Sequence, residues 1–127
     1  MGLLARLRGA WEAWRLPYQA IPAARALDAA IALRDAGKRP QAHEAAAALV
    51  SELRDRPAVQ ADPYAVALLV LASCLMEQLA DDLRLEGLGP EGLGGVLRVV
   101  GAAAPLPGKY ADQVAWLRSR AGTRRSE

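Results

Sequence analysis

Hydrophobic positions along this chain recur every three to four residues, and no stretch of useful length alternates with period two. That pattern predicts an all-α protein. Gly and Pro fall between the periodic stretches and divide them into six expected helices. The first, about residues 2–15, sets Leu3, Leu4, Leu7, Trp11 and Trp14 on one stripe, with Arg6, Arg8 and Glu12 elsewhere, and Pro17 ends it. The second starts at Pro22, a residue suited to a first helical turn, and passes through Leu27 and Ile31 to a stop at Gly37. The third restarts at Pro40 and aligns Ala42, Ala46, Leu49, Val50 and Leu53 on one face before Pro57. A turn this short makes the second and third helices antiparallel neighbours.

The fourth helix, about residues 63–86, is the one around which the others must pack. Asp62 can accept from the free amides of its first turn, and Pro63 suits the first helical position. Residues 64–76 are apolar nearly all round, and a helix of that kind has to be surrounded. From Glu77 onward the pattern turns one-sided, with Leu75, Leu79 and Leu83 facing inward and Glu77, Asp81, Asp82 and Glu86 facing water. Gly87 and Gly89 supply the stop. A Gly-interrupted fifth helix (90–103) and a sixth (109–121), with Tyr110, Val114 and Leu117 at helical spacing, complete the chain. The expected architecture is one compact helical domain of five to six helices over residues 1–121, with residues 122–127 as a flexible basic tail.

Composition agrees with this picture and narrows it. A chain of 127 residues suits a single core, and a hydrophobic fraction of 53% with three Trp excludes a disordered chain. Phe and Asn are absent, and fourteen of the sixteen basic residues are Arg. That profile resembles the codon bias of a GC-rich bacterial genome, so Arg abundance is poor evidence for nucleic-acid binding. Cys74 is the only cysteine, which rules out an intrachain disulfide and a Cys-rich zinc site and favours a reducing, cytoplasmic compartment. The N-terminus reaches Arg6 and Arg8 too early for a secretory signal, and the run 64–76 is too short to cross a bilayer. No transmembrane segment, metal or cofactor is expected. The Leu and Trp stripe of the first helix could close the core, meet a partner or second copy, or lie on a membrane surface.

Net charge is only +2, but its distribution is uneven. Arg6, Arg8 and Arg15 mark one end of the chain and Arg118, Arg120, Arg124 and Arg125 the other, while Asp62, Glu77, Asp81, Asp82, Glu86 and Glu91 face only Arg84 between them. On the fourth helix Glu77 and Asp81 are four apart, as are Asp82 and Glu86. Each such like-charge pair costs roughly 0.2–0.5 kcal/mol. Acids near a helix C-terminus also oppose its dipole. Breaking both rules together calls for a positive partner: an Arg from the chain's own ends (Arg6, Arg8, Arg15, Arg118 or Arg120), a basic protein, or a divalent cation.

Three short motifs bear on function. Gly37-Lys38-Arg39-Pro40-Gln41-Ala42, with Ala30 and Leu33 before it and Ala46 and Leu49 after it, resembles the inter-helix turn of a tetratricopeptide unit. Arg54 stands where that family closes with Pro, and no second copy follows, so a plain helical hairpin is expected. Gly87, Gly89 and Gly92 spell a dinucleotide-binding string, but that loop must follow a β-strand and here it follows a helix. Leu85-Glu86-Gly87-Leu88-Gly89-Pro90 resembles the hairpin of helix-hairpin-helix DNA-binding modules, and Leu106-Pro107-Gly108-Lys109 half of another. The resemblance implies contact with a DNA backbone through the turn at Gly87 and Gly89, supported by Arg124 and Arg125 in the tail. Tyr110 in place of a second Gly, and Glu91 near the turn, depart from the pattern.

His43, the single histidine, excludes sites built on several imidazoles and sits beside Glu44 as an ordinary surface residue. Cys74 falls in the apolar half of the fourth helix, where a buried thiol is inert. No catalytic constellation emerges. The reading that best fits the chain is a non-enzymatic interaction or regulatory module, contacting a protein partner or a second copy through Leu7, Trp11 and Trp14, or through Glu77, Asp81, Asp82 and Glu86. DNA-backbone binding is the alternative.

Overall fold

A computed structural model describes residues 20–56, 59, 62–103, 106 and 108–126. The expected first helix, with Leu7, Trp11 and Trp14, lies outside the described residues. Helix α1 (Ala20–Asp35) buries Ala23, Leu27 and Ala30, which recur at three- and four-residue spacing. It ends at Gly37 in the left-handed conformation (φ 82°). There the Lys38 amide donates to the Leu33 carbonyl at 2.9 Å and the Gly37 amide to that of Arg34 at 3.0 Å. This is the Schellman arrangement, which satisfies the carbonyls a helix end leaves open. Helix α2 (Arg39–Arg54) starts with Pro40 in its first turn and buries Ala42, Ala46, Leu49, Val50 and Leu53, the face its periodicity predicts. It packs closely along both α1 and the next helix.

Helix α3 (Pro63–Leu83) opens as expected, with the Asp62 carboxylate accepting from the Tyr64 amide at 3.1 Å. It touches α1, α2 and both following helices, so its apolar surface meets protein on every side. Leu69, Val66 and Val70 are fully enclosed. At 21 residues, with a mean hydropathy of 1.6 over its most apolar window, α3 is long and apolar enough to cross a membrane, which the shorter run 64–76 did not suggest. In this fold 78% of that window is buried against the other helices. Tyr64 departs from the expected all-round burial, being 44% exposed in the first turn, where its ring can keep its hydroxyl in water.

Helix α4 (Gly89–Ala102) buries Leu93, Val96 and Val99. Two of its glycines sit close to neighbours: a Cβ on Gly95 would stand 3.3 Å from Arg54 Cδ, and one on Gly92 would stand 3.0 Å from Leu88 Cβ. Residues 108–110 form a single 3₁₀ turn that takes in Tyr110, and α5 (Ala111–Ser126) follows, burying Val114, Leu117 and Ala121. The helix therefore continues through residues 122–126, which composition alone assigned to a flexible tail. Gly122 does not break it, and within this stretch the Thr123 hydroxyl donates back to the Ser119 carbonyl at 3.1 Å, one turn earlier. The described residues form an all-α bundle of five helices with one continuous hydrophobic cluster.

Candidate functional site

The acidic end of α3 differs from its sequence pattern in two ways. Glu77, expected at the surface, is 0% exposed. And the helix stops at Leu83 rather than near Glu86, because Arg84 takes the left-handed conformation (φ 57°). The Leu85 amide then donates to the Ala80 carbonyl at 2.7 Å and the Arg84 amide to Asp81 at 3.2 Å, the same closing pattern that Gly37 makes on α1. Glu86 thus lies beyond the helix, and the like-charge pair it was expected to form with Asp82 on one helical face does not exist. Both residues are exposed to water.

A buried carboxylate is tolerated only when charge and hydrogen bonds compensate it. Glu77 obtains both from outside its own helix. Its Oε2 accepts from the backbone amide of Leu88 at 3.4 Å, in the turn that follows α3. Its Oε1 lies 3.4 Å from Nε of Arg120 on α5, within ion-pair distance though not aligned for a hydrogen bond. Arg120 is itself largely covered, its side chain 16% exposed. It extends a two-pronged pair of hydrogen bonds to Asp81, one turn along from Glu77, and its guanidinium lies 5.3 Å from the centre of the Trp116 ring. The hydrogen bond to Asp81 is the main reason its pKa is held above its ordinary value; burial works the other way, and the nearby Glu77 and Asp81 charges reinforce the rise. Of the Arg residues proposed as compensation from the chain's own ends, Arg118 and Arg120 are among the described residues, and Arg120 reaches the cluster; Arg6, Arg8 and Arg15 lie outside the described residues. No group of acids, His and Cys suited to a metal ion occurs among the described residues.

The turn after α3 is built to admit this carboxylate. Gly87 has φ +71°, and a Cβ placed on it would lie 1.9 Å from Glu77 Oε2 and 2.9 Å from Glu77 Cδ. Any side chain here would displace the carboxylate. Gly89 has the same φ, +71°, but nothing lies within 4 Å of where its Cβ would be. Gly87 was expected to stop the helix; its role is instead to let the turn close over Glu77. The Leu88 amide, which the helix-hairpin-helix resemblance would aim at a phosphate, is engaged by a carboxylate. Arg124 and Arg125, proposed as phosphate contacts in a loose tail, stand in α5.

Outside this buried pair, the turn forms an elbow that reaches into water. Leu85 is 49% exposed, and Asp82, Arg84, Glu86 and Glu91, near it in the chain, are exposed as well. In the sequence Leu85 and Leu88 belong to the stretch that resembles a helix-hairpin-helix turn, and nothing in that pattern marks Leu85 as exposed. The reactive side chains singled out earlier are occupied or shielded. Cys74 is buried, its thiol 3.8 Å from the Gln113 carbonyl, and burial, helped by the Glu77 charge, pushes its pKa up to about 11. His43 is half-buried on α2. No protein-family model, curated protein or solved structure matches the chain.

Proposed function

We propose that this chain is a non-enzymatic protein-interaction module and that the elbow after α3 is its contact surface. The observation that carries the reading is Leu85, a large apolar side chain 49% exposed at a turn whose backbone is anchored from behind by Glu77. An apolar residue held in one place, with exposed Asp82, Glu86 and Glu91 near it in the chain, offers a partner a small hydrophobic contact with an acidic rim. Pre-organisation matters because the partner then does not have to order the loop on binding. The state of the other groups supports the same reading: the Cys74 thiol is held protonated, and Glu77 and Asp81 are spent on Arg120. Use of the Leu88 amide by Glu77 favours a protein contact here over a phosphate contact.

The test is site-specific photo-crosslinking in the native host, with the crosslinker at position 85 and, as a control, at exposed position 48 on α2. The expected result is a discrete adduct with one protein species from position 85 alone. It should weaken when Asp82 and Glu86 are replaced by Arg, while the helical circular-dichroism signal is unchanged. Equal or absent crosslinking at the two positions would overturn the proposal.

A further inference from the structure

The elbow and the last helix share one carboxylate, and this gives them a common fate. Glu77 faces the elbow with Oε2, through the Leu88 amide, and faces α5 with Oε1, through Arg120. Among the described residues Arg120 supplies the cation within ion-pair distance of Glu77. It reaches Glu77 from α5, far along the chain, held by the Asp81 fork and the face of Trp116. A buried ion pair contributes little net stability, but removing one member strands the other charge in a poorly solvated place. Glu77 is 0% exposed, so a stranded carboxylate can recover its hydration only by admitting water. One side of its enclosure is the turn, where Gly87 adds no side chain to the cover and the Leu88 amide makes one hydrogen bond of 3.4 Å to the carboxylate.

We propose that Arg120 is an electrostatic latch on the elbow: while α5 is docked the turn stays closed over Glu77, and when Arg120 leaves, Glu77 hydrates and the turn opens. This rests on the elbow's being the contact surface only for its biological meaning. The coupling itself is a property of the free protein. It makes α5 the place from which a second event, such as a partner binding along that helix, can regulate what residues 84–88 present.

Amide hydrogen exchange on the purified chain, read residue by residue by NMR, tests the latch without any partner. Arg120→Met should speed exchange at Leu88 by about tenfold or more, while Leu49 and Val66, in the α2–α3 core, keep their protection. Arg120→Lys, which retains the charge, should stay near wild type. The decisive variant is Arg120→Met with Glu77→Gln. A neutral amide can still accept from Leu88 but leaves no charge to hydrate, so protection at Leu88 should return. If Leu88 exchange is unchanged in Arg120→Met, the latch is wrong. It is equally wrong if Leu49 and Val66 accelerate in step with Leu88, or if Glu77→Gln restores nothing. None of these results bears on the crosslinking at position 85, so the two proposals can fail separately.

Discussion

Replacing Gly87 with Ala puts the buried carboxylate to a quantitative test, because Gly89 provides a matched control. Both residues have φ +71°, so both substitutions carry the penalty of placing a Cβ in the left-handed region, about 1–2 kcal/mol. At Gly89 nothing lies within 4 Å of the added carbon, and that penalty should be the whole effect. At Gly87 the added carbon would lie 1.9 Å from Glu77 Oε2, so the carboxylate must move. Moving it breaks the hydrogen bond from Leu88, of the kind worth roughly 1.5–3 kcal/mol when one partner is charged. It also disturbs the pairing with Arg120. We therefore expect Gly87→Ala to cost about 2–4 kcal/mol more than Gly89→Ala. The assay is urea unfolding followed by the helical circular-dichroism signal, comparing midpoints at constant slope. Shortening the obstructing side chain gives a further check: in a Glu77→Ala background the cost of Gly87→Ala should fall to that of Gly89→Ala. If the two single variants agree to within about 0.5 kcal/mol, or if Glu77→Ala brings no relief, the account of the turn is wrong.

Two further outcomes follow from burial. Leu69→Ala, at a position with no exposure, should cost about 2–5 kcal/mol by calorimetry or denaturant, whereas Leu85→Ala should change stability by no more than about 0.5 kcal/mol; a comparable cost at the two sites would contradict the placement of Leu85 in water. For Cys74, the folded chain holds its proton to about pH 11, while the ordinary thiol value is 9.0, so between these values the unfolded state binds fewer protons than the folded one. The stability this group contributes is present below pH 9.0 and is lost as pH rises to about 11. Cys74→Ala should flatten the stability–pH curve in that window relative to wild type, and native Cys74 should react with iodoacetamide far more slowly at pH 8 than after denaturation. A thiol modified equally fast in both states would refute the buried assignment.

The helical elements were legible where local chemistry and global packing agree. The buried face of α2 is the one its periodicity marks, and Asp62 with Pro63 starts α3 as capping chemistry dictates. The acidic end of α3 was half legible. Two like charges four apart, Glu77 and Asp81, signalled a missing cation, and Arg120 was among those named. The sequence pattern could not tell that Glu77 faces the interior, because a Glu at that register follows the same helical spacing as the exposed acids around it. Among the described residues Arg120 and the Leu88 amide compensate its burial, and both contacts come from outside its helix. The helix boundary failed for a related reason. Gly87 looks like a stop signal, yet an Arg, a residue that seldom adopts the left-handed conformation, closes the helix three positions earlier. The glycine was needed for its absent side chain rather than for its place at a helix end.

The Glu77–Arg120 pair also orders events in time. A ribosome delivers Glu77 and the turn that closes over it before it delivers Arg120, which lies on α5. Until then the carboxylate has no counter-ion, and the nascent bundle cannot bury that part of α3 without stranding a charge. Folding of the acidic end is thus deferred until α5 has been made, and a chain cut short before Arg120 would leave the Glu77 carboxylate without its counter-ion.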